Sequence, residues 1–266
     1  PLVDGDQIVV LCNTGVATMP VFAVGTSTVA DINDKFSSSG WSLNQSGSDS
    51  GKGMPMSGEG TWNTATPPTI QMYRSVAKIQ LSIDIPTGAD ITSSFTSEAD
   101  AVKWSMYNVL GKGNIYSSLG TMSNTSPTAS DFFDDTTLSQ RIVGASDATA
   151  EQLTYYLCEH NNSEDGRTTQ SPVTDFLSSR TCLVVKTSAG YYRIDLATGN
   201  NSDETKQFID IQRNYDYQVK ITKIKSYGYP STDEALKNPG SNLEYEVVIK
   251  GDAQNFTTSN GQYAVT

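Results

Sequence analysis

Apolar side chains recur at every second position along much of the chain. From Ala77 to Ile85 (Ala-Lys-Ile-Gln-Leu-Ser-Ile-Asp-Ile) every odd position is apolar and every even one polar. Tyr217 to Thr222 and Leu243 to Val247 repeat the alternation. A period of two marks strands with one face in a core and the other in water, the habit of antiparallel sheets. Leu183-Val184-Val185 and Tyr191-Tyr192-Arg193-Ile194 flank Thr187-Ser188-Ala189-Gly190, which reads as a hairpin loop. The same reasoning predicts strands over 6–12, 104–110, 153–158 and 207–213.

Helical spacing is rare. Val29, Ile32 and Phe36 follow Ser27 and Thr28, which are suited to capping a short helix. Asp233-Glu234-Ala235-Leu236-Lys237 predicts one more turn before Asn238-Pro239 stops it. Stretches rich in Ser, Thr, Asn and Gly at 37–60, 120–130 and 159–172 read as loops joining strands. The pattern predicts an all-β chain with few short helices, folded as two antiparallel β-sandwich domains. Their boundary is expected between 115 and 150, giving domains of 1–120 and 121–266.

Composition narrows the partners. Lys and Arg number 18 against 29 Asp and Glu, a formal net charge of −11. Such a surface repels phosphate, so neither nucleic acid nor an anionic membrane is an expected partner. No apolar run approaches the 18 residues or so of a membrane-spanning helix. The 13 Tyr and 8 Phe supply the large surfaces a core needs.

Candidate chemistry is sparse. The single histidine, His160, lies between Glu159 and Asn161 at a strand-to-loop edge and reads as a solvated surface residue. Cys12, Cys158 and Cys182 each sit in an apolar, strand-like stretch. Their odd number and spacing fit free buried thiols, with a Cys158–Cys182 bridge as the alternative. Asn161-x-Ser163-x-Asp165-Gly166 has the start of a calcium loop, but Pro172 stands where the terminal Glu belongs, so a hydrophilic turn is expected. Asp131, Asp134 and Asp135 read as a solvated acidic loop, or else as a cation seat or, with Glu159, a glycosidase-like pair. Gly111-Lys112-Gly113-Asn114 lacks both phosphate-loop spacing and a following helix. No catalytic group, cofactor or metal site is expected, and the chain does not read as an enzyme. Trp104 reads as core. Trp41 and Trp62, in polar Gly-rich stretches, suit either stacking on a ligand such as a sugar ring or partial burial under loops.

An ordered set of motifs carries a resemblance. Gln212-Arg213-Asn214-Tyr215-Asp216-Tyr217-Gln218-Val219 has an Arg-Asn-aromatic-x-Tyr start to a strand. Lys225-Ser226-Tyr227-Gly228-Tyr229, Asp233-Glu234-Ala235-Leu236 and Asn242-Leu243-Glu244-Tyr245-Glu246 follow it. Upstream lie Tyr155-Tyr156-Leu157-Cys158-Glu159 and Tyr191-Tyr192-Arg193-Ile194-Asp195. The first half contributes Gln7 to Gly15, Met56-Ser57-Gly58, and Arg74-Ser75-Val76-Ala77-Lys78-Ile79. In this order the segments resemble the fimbrillin superfamily, subunits of the type V pili of Bacteroides-like bacteria.

The resemblance implies two transthyretin-like β-sandwich domains and a structural role without catalysis. It implies export as a lipoprotein precursor to the cell surface, removal of an N-terminal strand by an Arg-directed protease, and polymerisation with other pilus subunits by strand exchange. In relatives the strand resembling 6–12 follows further strands that this sequence does not contain. Part of the first sheet is therefore expected to be open or filled by another chain. Phe256, Tyr263 and Val265 are the candidate donor side chains, with a last edge strand of the chain's own domain as the alternative. The second functional reading is a surface or pilus-tip module that binds a host glycan or protein.

Overall fold

A computed structural model describes residues 2–14, 20–23, 26–38, 54–83, 102–118, 132–134, 140–142, 154–162, 180–198, 207–238, 240, 242–251, 256–259 and 262–265. Its strands are β1 (Gln7–Cys12), β2 (Met56–Thr61), β3 (Tyr73–Arg74), β4 (Val76–Ile83), β5 (Val102–Tyr107) and β6 (Val109–Leu110). Then come β7 (Phe132–Phe133), β8 (Gln140–Ile142), β9 (Thr154–Cys158), β10 (Cys182–Thr187), β11 (Gly190–Asp195) and β12 (Ala197–Thr198). The last are β13 (Gln207–Phe208), β14 (Tyr215–Ile224), β15 (Leu243–Gly251), β16 (Phe256–Ser259) and β17 (Gln262–Val265). The helices are α1 (Val29–Ser38) and α2 (Thr232–Lys237). The described chain is mostly sheet, an all-β protein with few helices.

Two four-stranded sheets, in the orders β15-β14-β4-β9 and β11-β10-β5-β8, enclose the main core. The period-two pattern sets which side chains enter it. Ala77, Ile79 and Leu81 of β4, and Tyr217, Val219 and Ile221 of β14, are buried at alternate positions. They meet Trp104 and Met106 of β5, Leu183 and Val185 of β10, and Tyr192 and Ile194 of β11. Trp104, fully buried, sets its ring edge-on to Tyr155 of β9 with centroids 6.3 Å apart.

The partners in these sheets differ from the pattern's suggestion in two respects. β4 and β14 run parallel, with Lys78 in register with Asp216 and its Nζ 3.5 Å from Oδ2. A parallel pair needs a long crossover, and here more than 130 residues of chain separate the two strands. Furthermore, β4 and β5, from the segment expected to form the first domain, hydrogen-bond to β9, β10 and β14, from the segment expected to form the second. Alternation assigns each side chain to a face; it does not name the neighbouring strand.

The outer face of the β10–β11 sheet is covered by the connection from β14 to β15. Ala235 of α2 is buried against Tyr107, Cys182 and Val184. Ser231 caps α2, accepting from Glu234 N at 3.2 Å. The connection crosses the β10–β11 hairpin backbone to backbone: Gly228 N donates to Ala189 O at 2.9 Å, and a Cβ on Gly190 would lie 2.8 Å from the Gly228 carbonyl carbon. Beneath α2, the buried Arg193 Nε donates to Asp195 Oδ1 at 2.5 Å and Nη1 to Leu236 O at 2.7 Å.

Two readings of single residues are corrected. His160 is buried, at 1% exposure. Backbone bonds to Ile211 in both directions, at 2.9 and 3.0 Å, draw it inside, and Phe132 lies edge-on to its ring. All three cysteines are free thiols, but only Cys158 and Cys182 are buried; Cys12, at the end of β1, is exposed. Of the predicted 207–213 strand, only Gln207–Phe208 pairs as β13, with Ile211 making an isolated bridge.

Candidate functional site

A third sheet, β1-β2-β3, stands beside the sandwich. β1 and β2 pair antiparallel along six residues, from Gln7 opposite Thr61 to Cys12 opposite Met56. Val9 and Leu11, two positions apart on β1, pack against a small core of Phe36, Ile115 and Tyr116. Among the described residues β1 has β2 as its only strand neighbour.

Local chemistry holds α1 over this sheet. Asp31 closes a reciprocal cap at the helix start: Thr28 N donates to its Oδ2 at 2.5 Å, and Asp31 N donates to Thr28 O at 3.1 Å. One turn on, Asn33 clamps Tyr116 by donating to its carbonyl at 2.8 Å and accepting from its N–H at 2.9 Å. The Tyr116 hydroxyl donates to Glu59 Oε2, and burial together with that carboxylate raises the phenol above its ordinary pKa.

The Arg-Asn-aromatic-x-Tyr motif joins this sheet to the sandwich. Arg213 Nε donates to Glu159 Oε1 at 3.2 Å, and its Nη2 and Nη1 reach Asn114 O (3.1 Å) and Ile115 O (3.4 Å). Asn214 adopts φ +64°, a left-handed conformation that Asn tolerates. Its N–H donates to Val76 O at 2.8 Å and its Oδ1 accepts from Arg74 N at 3.3 Å. The Tyr217 hydroxyl accepts from Gln212 N and donates to Asp210 O, each at 2.8 Å. Burial raises that phenol well above its ordinary value. Arg213, Asn214 and Tyr217 thus each fix backbone, and Glu159 is a structural ion-pair partner.

The remaining predicted residues are dispersed. Phe256 lies on β16, Tyr263 and Val265 on β17; the register sets Phe256 opposite Val265 and Thr258 opposite Tyr263. Trp62, just after β2, is half-buried, with its N–H donating to Asp6 O at 2.7 Å. Trp41, Asp131, Asp135 and residues 163–166 lie outside the described residues. Asp134 Oδ1 accepts from Asn108 N at 2.9 Å, a turn contact. Among the described residues no group of three or more His, Cys, Asp or Glu is placed to hold a metal ion, and no helix is long and apolar enough to cross a membrane.

The sequence reading missed the pairing of Glu59 with Tyr116 and the crossing over β2. A Cβ on Gly58 would lie 2.2 Å from Gln71 O, and one on Gly60 3.1 Å from Ile70 Cγ1. Glycines at alternate positions of Ser57-Gly58-Glu59-Gly60 were the available signal, since Gly within a strand marks close backbone approach.

No protein-family profile and no curated protein matches the chain. Among solved structures it is similar to a fimbrilin from Porphyromonas gingivalis W83 (12% identity over 92% of this chain and 79% of that one, TM-score 0.49). It is also similar to a candidate cell adhesion protein from Parabacteroides distasonis ATCC 8503 (15% identity, 93% and 84%, TM-score 0.49). A third similar structure is the tip fimbrial protein Mfa3 from Porphyromonas gingivalis with C-terminal truncation (14% identity, TM-score 0.41). The chain spans 63% of that protein's length, with 74% of its own residues covered.

Proposed function

We propose that this chain is a structural subunit of a cell-surface pilus or fimbria, assembled by strand exchange between subunits and supporting adhesion. In this reading the sheet β1-β2-β3 with α1 belongs to a first transthyretin-like sandwich, and the two larger sheets form a second. Export as a lipoprotein precursor would deliver the subunit to the outer membrane and the growing pilus. Other pilus subunits are its partners, and no catalysis is involved.

The observation that carries the reading is a strand-forming tail without a sheet to join. Among the described residues β16 and β17 hydrogen-bond only to each other, while β1 has β2 as its only strand neighbour. A lone two-stranded hairpin is marginally stable in water, and an open edge leaves N–H and C=O groups to find partners. A tail strand laid along β1 of the next copy answers both needs, with Phe256, Tyr263 and Val265 as the donated side chains. Donation from head to tail does not close on itself, so it builds a filament.

Removing residues 252–266 tests this. The truncated protein should fold and remain monomeric in size-exclusion chromatography, with no filaments in electron micrographs under conditions where the full chain polymerises. Filaments formed without the tail would overturn the reading.

A further inference from the structure

The sheet β1-β2-β3 carries a second feature that strand exchange does not use. A cavity of about 410 Å³ opens beside β2, in the size range of small-molecule sites. Two extended segments build it from alternate residues. Ser57 and Glu59 come from β2, and Thr69, Gln71 and Tyr73 from the segment that crosses β2 and becomes β3. The register sets Ser57 opposite Tyr73. Where the segment crosses β2, the Gln71 carbonyl occupies the space a Cβ on Gly58 would fill.

The lining side chains carry hydroxyls, an amide and a carboxylate. Tyr73 donates its hydroxyl to Gln71 Oε1 at 2.7 Å, which fixes the amide and turns its NH₂ into the available donor. Glu59 holds Oε2 toward the Tyr116 hydroxyl and offers its other oxygen as an acceptor. The Thr69 hydroxyl adds a group that both donates and accepts. Among the described residues neither Lys nor Arg lines the cavity, and Glu59 together with the net charge of −11 opposes an anion. Paired donors and acceptors beside an aromatic ring match vicinal hydroxyls on a ring with an apolar face.

We infer that this cavity binds a neutral sugar, with Glu59, Gln71 and Thr69 holding its hydroxyls and Tyr73 flanking the ring. Thr69 and Gln71 are exposed, so their substitution spares the core. The test is saturation-transfer NMR on the full chain with the methyl glycosides of glucose, galactose, mannose and N-acetylglucosamine at millimolar concentration. N-acetylneuraminic acid and glucosamine serve as charged controls. At least one neutral glycoside should show transfer, and Thr69→Ala and Gln71→Ala should each weaken it about tenfold, with filament formation unchanged. The inference is overturned if no neutral glycoside binds, if binding survives both substitutions, or if a charged control binds better.

Discussion

The guanidinium of Arg213 and the carboxylate of Glu159 meet at 3.2 Å, with side-chain exposures of 11% and 3%. The same guanidinium reaches the carbonyls of Asn114 and Ile115, and Ile115 is part of the core beneath β1. One cation therefore ties the strand ending at Cys158, the start of β14 and the Asn114–Ile115 segment that packs beneath β1.

Removing one member leaves the other buried without its counter-charge, which costs about 3–5 kcal/mol. Glu159→Ala and Arg213→Met should each lower unfolding stability by roughly this amount in denaturant titrations. Arg213→Lys should recover only part, because a single ammonium cannot span the carboxylate and two carbonyls. Stability within about 1 kcal/mol of wild type in either truncating variant would show that the pair does not hold these segments together.

His160 gives the fold a dependence on acid. Its Nδ1 lies 2.9 Å from Cys158 O and its Nε2 lies 2.7 Å from the Thr181 hydroxyl oxygen. That hydroxyl donates its one proton to Asn108 O at 2.6 Å, so a neutral ring, with a single N–H, can donate to only one of the two oxygens it faces. Burial pushes the imidazole from its ordinary 6.5 down to about 4, so the folded state holds it neutral. Because the folded value lies below the unfolded one, the contribution is complete above about pH 6.5 and declines as pH falls toward 4. Between pH 7.5 and 5 the loss should be about 2 kcal/mol, read from urea midpoints, and His160→Gln should flatten the profile over that range.

The thiols separate by environment. Burial raises the Cys158 thiol to about 12, Cys182 is 1% exposed, and Cys12 is exposed. Mass spectrometry after iodoacetamide treatment of the folded protein at pH 8 should find Cys12 alkylated and the other two intact. All three should react in urea. Rapid labelling of Cys158 in the folded state would mean that β9 opens.

Much of the sandwich was legible because alternation is a direct record of burial. Ala77, Ile79 and Leu81 fall on the core side, α1 begins just after Thr28, and α2 takes in the predicted Asp233–Lys237 turn. The pairings were less accessible. The parallel match of β4 with β14, and the joining of β4 and β5 to strands from beyond residue 150, depend on contacts between segments far apart in sequence. His160 looked solvated because its neighbours are polar, yet a bridge to Ile211 carries it inside. The Arg213 motif was visible as a pattern, whereas its work on Glu159 and two distant carbonyls required the fold. The sugar cavity left only the alternate glycines of β2 as its trace.

The central claim is that the tail of one subunit lies along β1 of the next, and Cys12 supplies the reporter, since its thiol is exposed at the end of that strand. With Cys158 and Cys182 replaced by Ala or Ser, single cysteines placed in turn from Thr257 to Ala264 can be oxidised during assembly. The account expects disulfides between subunits at some of these positions, strongest at alternate residues, and a ladder of oligomers on non-reducing gels. Bonds formed only within one chain, or none between chains at any tail position, would contradict it.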